Sequence, residues 1–148
     1  MKGNPAIILL VEDNESHARL IIRTLEEARI MNKVFWVRDG LEALEFLHHK
    51  GKFRDREKFP TPDLILLDLK LPKLNGHEVL KEIKSSEELR VIPVVVLTAS
   101  EDETDLIKAY LNYTNSYLVK PIEPENFRKM VEHLGFYWII WNKSPRRR

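Results

Sequence analysis

Cysteine is absent from all 148 residues, so no disulfide staples this chain and no thiolate can serve as nucleophile or metal ligand. Its absence fits a reducing compartment. Glycine is scarce, with five in all, and the loop Asp13-Asn14-Glu15-Ser16 after the first apolar run contains none. That acidic loop lacks the backbone cradle that a nucleotide or flavin phosphate needs. Neither sign of charge prevails: Lys+Arg number 24 against 23 Asp+Glu, a net charge of +1. No global field therefore points to nucleic acid. The exception, Arg146-Arg147-Arg148 after Pro145, is too short to define a binding surface and reads as a solvated end. Long apolar runs are missing as well. Ala6 to Val11 is too short for a signal-peptide core or a membrane span, so a soluble cytoplasmic protein is the expectation.

The apolar residues that are present fall into an alternating order. Ala6-Ile7-Ile8-Leu9-Leu10-Val11 and Leu64-Ile65-Leu66-Leu67 are short continuous runs, the pattern of strands buried on both faces. Val34-Phe35-Trp36-Val37, Val94-Val95-Val96-Leu97 and Tyr117-Leu118-Val119 read as three further strands. Helices are predicted between them. Ala18, Ile21, Ile22, Leu25 and Ala28 share one face after a start at Asn14-Glu15-Ser16. Leu41 to Leu47, Val79 to Ile83 and Leu106 to Leu111 mark the next three, and the last begins near Pro124 and runs through Leu134, with Trp141 its furthest end. Gly51 to Pro62, charged and bearing two prolines, reads as an unusually long surface connection.

Five βα units in succession predict an α/β fold, a doubly wound five-stranded parallel sheet with helices on both faces. Strand order 2-1-3-4-5 would put the switch point between strands 1 and 3, where such sheets bind ligands at their carboxyl ends. Those strands end in Glu12-Asp13 and Asp68. Three converging carboxylates are costly unless a cation or proton offsets them.

Strands 4 and 5 end in Thr98 and Lys120. Each of the four ends suits a phosphoryl ligand. Hard oxygen donors favour Mg²⁺, which would neutralise the carboxylates and incoming phosphoryl oxygens. Asp68 could then act as nucleophile, with Lys120 and Thr98 offering a positive charge and a hydroxyl donor to the phosphoryl oxygens. Taken singly, an Asp after a strand is usually a turn or cap residue, and Thr and Lys-Pro there are unremarkable. The joint pattern is what carries the chemistry. The five histidines lie on different elements without ligand spacing and read as solvated.

Glu12-Asp13-Asn14, Asp68 with Pro72 and Gly76, Thr98-Ala99 and Lys120-Pro121 together resemble the receiver domain of two-component response regulators, over about residues 6 to 134. The resemblance implies a flavodoxin-like (βα)5 fold with Asp68 as phosphoacceptor. Asp13, Asp68 and the backbone carbonyl of Lys70 would ligate Mg²⁺, and Glu12 would act mostly through a water. Lys120 would contact the phosphoryl group, and the Lys120–Pro121 bond is expected to be cis. Thr98 and Tyr117 would form a switch, Tyr117 moving inward as Thr98 shifts toward the phosphoryl oxygen, whereas plain core packing is the other reading of Tyr117. Small Ala99 would leave the site open to a partner or to water. The long connection before strand 3, Leu71-Pro72-Lys73-Leu74-Asn75-Gly76 and Asn115-Ser116-Tyr117 are similar to stand-alone receivers of the cyanobacterial phytochrome response-regulator type. That similarity implies a phytochrome-like sensor histidine kinase as partner and a homodimer.

The chain reads as one receiver domain, residues 1–148, with 135–148 an aromatic and basic extension and no room for an output domain after Pro124. Its output would be a contact with another protein or the phosphoryl group itself. Phe127, Met130, Val131, Leu134, Trp138 and Trp141 follow one helical stripe, but Phe136, Ile139 and Ile140 fall off it. That excess of apolar area implies a dimer or partner interface, or a segment that folds back after Gly135. Two alternatives compete with the receiver reading. A Mg²⁺-dependent phosphatase with an aspartyl nucleophile needs a second Asp two residues on, where Lys70 stands. A non-phosphorylated pseudo-receiver acting as a binding module should lack a site residue, and none is missing.

Overall fold

The computed structural model describes residues 6–28, 32–68, 76–98 and 116–133. Its strands are β1 (Ala6–Val11), β2 (Asn32–Val37), β3 (Leu64–Asp68), β4 (Val94–Thr98) and β5 (Ser116–Val119). They form one sheet in the order β2-β1-β3-β4-β5, and every neighbouring pair is parallel. The predicted fold class and strand order are those observed. The helices are α1 (Glu15–Glu27), α2 (Gly40–Leu47), α3 (Gly76–Ser85) and α4 (Pro124–His133). The helix expected over Leu106 to Leu111 and the segment from Leu134 to Arg148 lie outside the described residues.

The continuous apolar runs are explained by burial on both faces. Ile8, Leu10, Leu64, Leu66, Val95 and Leu97 pack with Ala18, Ile21 and Leu25 of α1 and Phe127, Met130 and Val131 of α4. The alternate residues Leu9, Val11, Ile65, Leu67 and Val94 pack with α2 and α3. Since successive strand side chains point to opposite faces, a strand between two helix layers has no polar position to spare.

Caps fix where the helices begin. Asn14 Oδ1 accepts from His17 N at 3.0 Å at the start of α1, and Asp39 Oδ1 accepts from Glu42 N at 2.8 Å at the start of α2. Each satisfies a backbone donor that the helix leaves without a partner. Pro124 opens α4, where its missing N–H costs nothing. On the far side of the sheet from α2, Thr24 donates its hydroxyl to Ile122 O at 2.9 Å, and Arg128 donates to Ala28 O at 2.6 Å. Those two bonds tie α1 to the segment after β5.

The connection Gly51 to Pro62 is mostly exposed, as expected of a surface connection, but it is not wholly so. It turns through a 3₁₀ segment, Gly51–Phe53, and buries Phe53. Phe53 lies 5.1 Å, ring centre to ring centre, from both Phe46 and Phe59, and Phe35 lies 5.3 Å from Phe46. The two aromatic residues of the connection therefore extend the core outward, and tilted and edge-on ring pairs of this kind add to the stabilisation from burial alone.

Candidate phosphoryl-acceptor site

Parallel order brings the carboxyl ends of β1 and β3 side by side, with Val11 paired to Leu67. The next residues are Glu12-Asp13 and Asp68. Glu12, Asp13 and Asp68 each place a carboxylate oxygen within 4.8 Å of the others; Glu12 and Asp68 are buried and Asp13 is exposed. Lys120, just past the end of β5, reaches across from the opposite side of the switch point. Its Nζ donates to Glu12 Oε1 and lies 3.1 Å from Asp68 Oδ2. The Lys120–Pro121 peptide is cis.

Glu12 is the most enclosed of the three acids, with 0% of its surface exposed. Its Oε2 accepts from Asn14 N at 3.2 Å, and its backbone carbonyl accepts from the Trp36 indole at 2.7 Å. Burial pushes the Glu12 carboxyl up to about 7, an effect that Asp68 reinforces and the Lys120 bond opposes. For Lys120, burial favours the neutral amine, but the bond to Glu12 and the negative charges of Asp68 and Glu12 outweigh it and raise its pKa. Resemblance placed Glu12 outside the metal shell behind a water. In the structure it is also the acid that holds the lysine.

Thr98 ends β4 and pairs with Val119. Its strand stands next to β3, with Leu97 opposite Asp68. Tyr117 sits on β5 opposite Val96 and is 39% exposed. The Lys70 carbonyl, Pro72 and Ala99 lie outside the described residues.

One residue read as solvated belongs to the site. His17, in the first turn of α1, is half-buried, and its Nδ1 lies 3.2 Å from Lys120 Nζ. The two are 103 positions apart, so no local pattern could have signalled the contact. His48, His49 and His77 are likewise half-buried, and His133 is exposed as expected.

Three carboxylates with no sulfur or imidazole ligand make a hard-oxygen donor set, which suits Mg²⁺, Mn²⁺ or Ca²⁺ and not a soft metal. Without an ion the site has a measurable signature. Because folding raises the Glu12 pKa from 4.5 to about 7, the folded state holds a proton that the unfolded chain has already released. Its stabilising contribution is complete below pH 4.5 and is lost as pH rises through about 7. Metal-free protein is therefore expected to lose about 2 kcal/mol between pH 5 and pH 8 from this group, after allowance for solvent screening. Urea unfolding in chelator, compared with Glu12→Gln, isolates the contribution. Equal pH slopes for the two proteins would contradict it.

This fold and this cluster define a class, and residues 8–132 match the family described as "Response regulator receiver domain". The chain belongs to that family and is a receiver domain of a two-component response regulator. It is 50% identical over 143 residues to the probable methanogenesis regulatory protein FilR2 of Methanothrix harundinacea, covering 96% of this chain and 89% of that protein. Response regulator Rcp1 of Synechocystis sp. is 44% identical over 135 residues, covering 91% of this chain and 90% of that one. The Mn²⁺-bound form of Rcp1 has a TM-score of 0.71 at 44% identity, over 91% of this chain and 95% of that one. The bacteriophytochrome response regulator RtBRR gives a TM-score of 0.84 at 46% identity, over 95% of this chain and 84% of that one. Receiver domains bind a divalent metal and act with sensor histidine kinases. Among the described residues no helix is long and apolar enough to cross a membrane.

Proposed function

We propose that this receiver accepts a phosphoryl group on Asp68 from a sensor histidine kinase in the presence of Mg²⁺. The reading rests on one arrangement: a buried carboxylate with two others within 4.8 Å and a lysine ammonium 3.1 Å away. An Asp68 oxygen attacks phosphorus, the O–P bond forms as the donor's P–N bond breaks, and the electron pair leaves on the imidazole nitrogen. Asp13, Asp68 and the Lys70 carbonyl would hold Mg²⁺, with Glu12 acting through a water. When bound, the cation supplies charge neutralisation for the phosphoryl oxygens and the acids. Lys120 turns from Asp68 to a phosphoryl oxygen, and Thr98 donates to another.

Signalling follows from a change of surface. Thr98 moves toward the phosphoryl group and Tyr117, exposed in this structure, turns inward. The Mn²⁺-bound form of Rcp1 supports a divalent cation in this protein too, and the likeness to RtBRR supports a phytochrome-like kinase as donor. The setting is the cytoplasm, and the enzymatic chemistry is confined to the protein's own phosphorylation and dephosphorylation. A phosphatase reading is disfavoured because Lys70 occupies the general-acid position.

The test is intact mass after incubation with a small phosphodonor. One phosphoryl group is expected with Mg²⁺ and none with chelator. Turnover of many phosphomonoesters without a stable adduct would replace this reading with the phosphatase.

The apolar residues Phe136, Ile139 and Ile140 in the sequence favour a homodimer built on the 135–148 extension. Sedimentation should give concentration-dependent dimers that Trp138→Ala or Trp141→Ala abolishes. A monomer at high concentration, before and after phosphorylation, would exclude the dimer.

A further inference from the structure

We infer that His17 is a positioning residue for Lys120, an inference that rests on the acceptor-site reading above. A lysine ammonium has three N–H donors and no acceptor. In this structure Lys120 Nζ meets three acceptors: Glu12 Oε1, Asp68 Oδ2 at 3.1 Å and His17 Nδ1 at 3.2 Å. The third bond has a chemical consequence. Because the ammonium only donates, a hydrogen bond here requires Nδ1 to present its lone pair, the tautomer that carries its ring proton on Nε2.

The backbone that carries the imidazole is itself held. Asn14 Oδ1 accepts from the backbone N–H of His17 at 3.0 Å, and Asn14 N donates to Glu12 Oε2 at 3.2 Å. One loop residue therefore anchors both the acid and the backbone of the histidine between which the ammonium sits. His17 and Lys120 also line a groove of about 470 Å³ between α1 and the Pro121–Pro124 segment. Without the imidazole, the third N–H would turn to water in that groove, and the ammonium would lose the contact that restrains it on the α1 side. When Asp68 carries a phosphoryl group, the N–H now on Asp68 must turn to it. Glu12 and His17 are the two points that keep Nζ in place during that turn.

The experiment compares wild type, His17→Leu and His17→Asn as full chains. Asn places an oxygen near the position of Nδ1, and Leu fills the space without an acceptor. Mg²⁺-dependent labelling of Asp68 by a small phosphodonor is expected to be about fivefold slower in His17→Leu, the size of one hydrogen bond. In His17→Asn it should return to within about twofold of wild type. Equal rates in all three, or equal slowing by Asn and Leu, would overturn the inference. A second readout needs no phosphorylation: ¹⁵N spectra of His17 at neutral pH should show an unprotonated Nδ1 whose shift moves in Lys120→Ala. A proton on Nδ1, or no response to Lys120→Ala, would also overturn it. If wild type itself fails to label, the acceptor reading falls, and the His17–Lys120 bond is judged on the spectra alone.

Discussion

Asp68→Asn is expected to abolish phosphorylation, lowering Mg²⁺-dependent labelling by at least about a hundredfold, because the amide offers no anionic oxygen to attack phosphorus. The substitution keeps the shape of a buried side chain and leaves β3 intact, so the protein should remain folded with its secondary structure unchanged. It also removes one of the three acids of the cluster, and Mg²⁺ affinity should fall with the loss of that hard ligand. Circular dichroism and a metal titration separate these effects. A folded Asp68→Asn protein that still takes up one base-labile phosphoryl group would move the acceptor to another residue.

Lys120→Ala should have the second largest effect, and on stability as much as on chemistry. The lysine and its two acids are nearly enclosed: Lys120 is 12% exposed, Glu12 0% and Asp68 11%. Removing the cation leaves Glu12 and Asp68 facing each other without it. Breaking a buried ion pair from one side costs about 3–5 kcal/mol. The loss should be largest above pH 7, where Glu12 is ionised in the folded protein, and smaller near pH 5, where a proton takes over part of the lysine's task. Mg²⁺ should restore more stability to this variant than to wild type, since it binds only the folded state and meets a site of greater negative charge. Labelling should slow without disappearing, because the nucleophile stays. A loss of under about 1 kcal/mol at pH 8 in chelator would show that solvent, and not Lys120, neutralises the acids.

The elements that the sequence made legible are those whose signal is local. A run such as Leu64-Ile65-Leu66-Leu67 has one explanation, burial on both faces, and the structure buries all four. Acids at the ends of two such runs then follow from strand order alone, because β1 and β3 are neighbours. What local pattern could not reveal is contact across the chain. Lys120 was legible as a strand-end lysine, but that it would take Glu12 as well as Asp68 depends on how far β5 sits from β1. His17 looked like any polar residue in a first helical turn. Phe53 and Phe59 stand among charged neighbours with no periodicity, and it is their ring contacts with Phe46 and with each other that put Phe53 in the core and Phe59 against it. Strand β2 begins at Asn32, two residues before its apolar run, since pairing with Ala6 and Ile7 requires no apolar side chain.

The central claim is that Asp68 itself becomes an acyl phosphate. Borohydride reduction of an acyl phosphate converts the aspartyl side chain to homoserine, and peptide mapping then reports the modified position directly. After treatment with phosphodonor and Mg²⁺, homoserine is predicted at position 68, and none in chelator. Homoserine at position 13, 5-hydroxynorvaline at position 12, or homoserine at 68 without a divalent cation, would contradict the account.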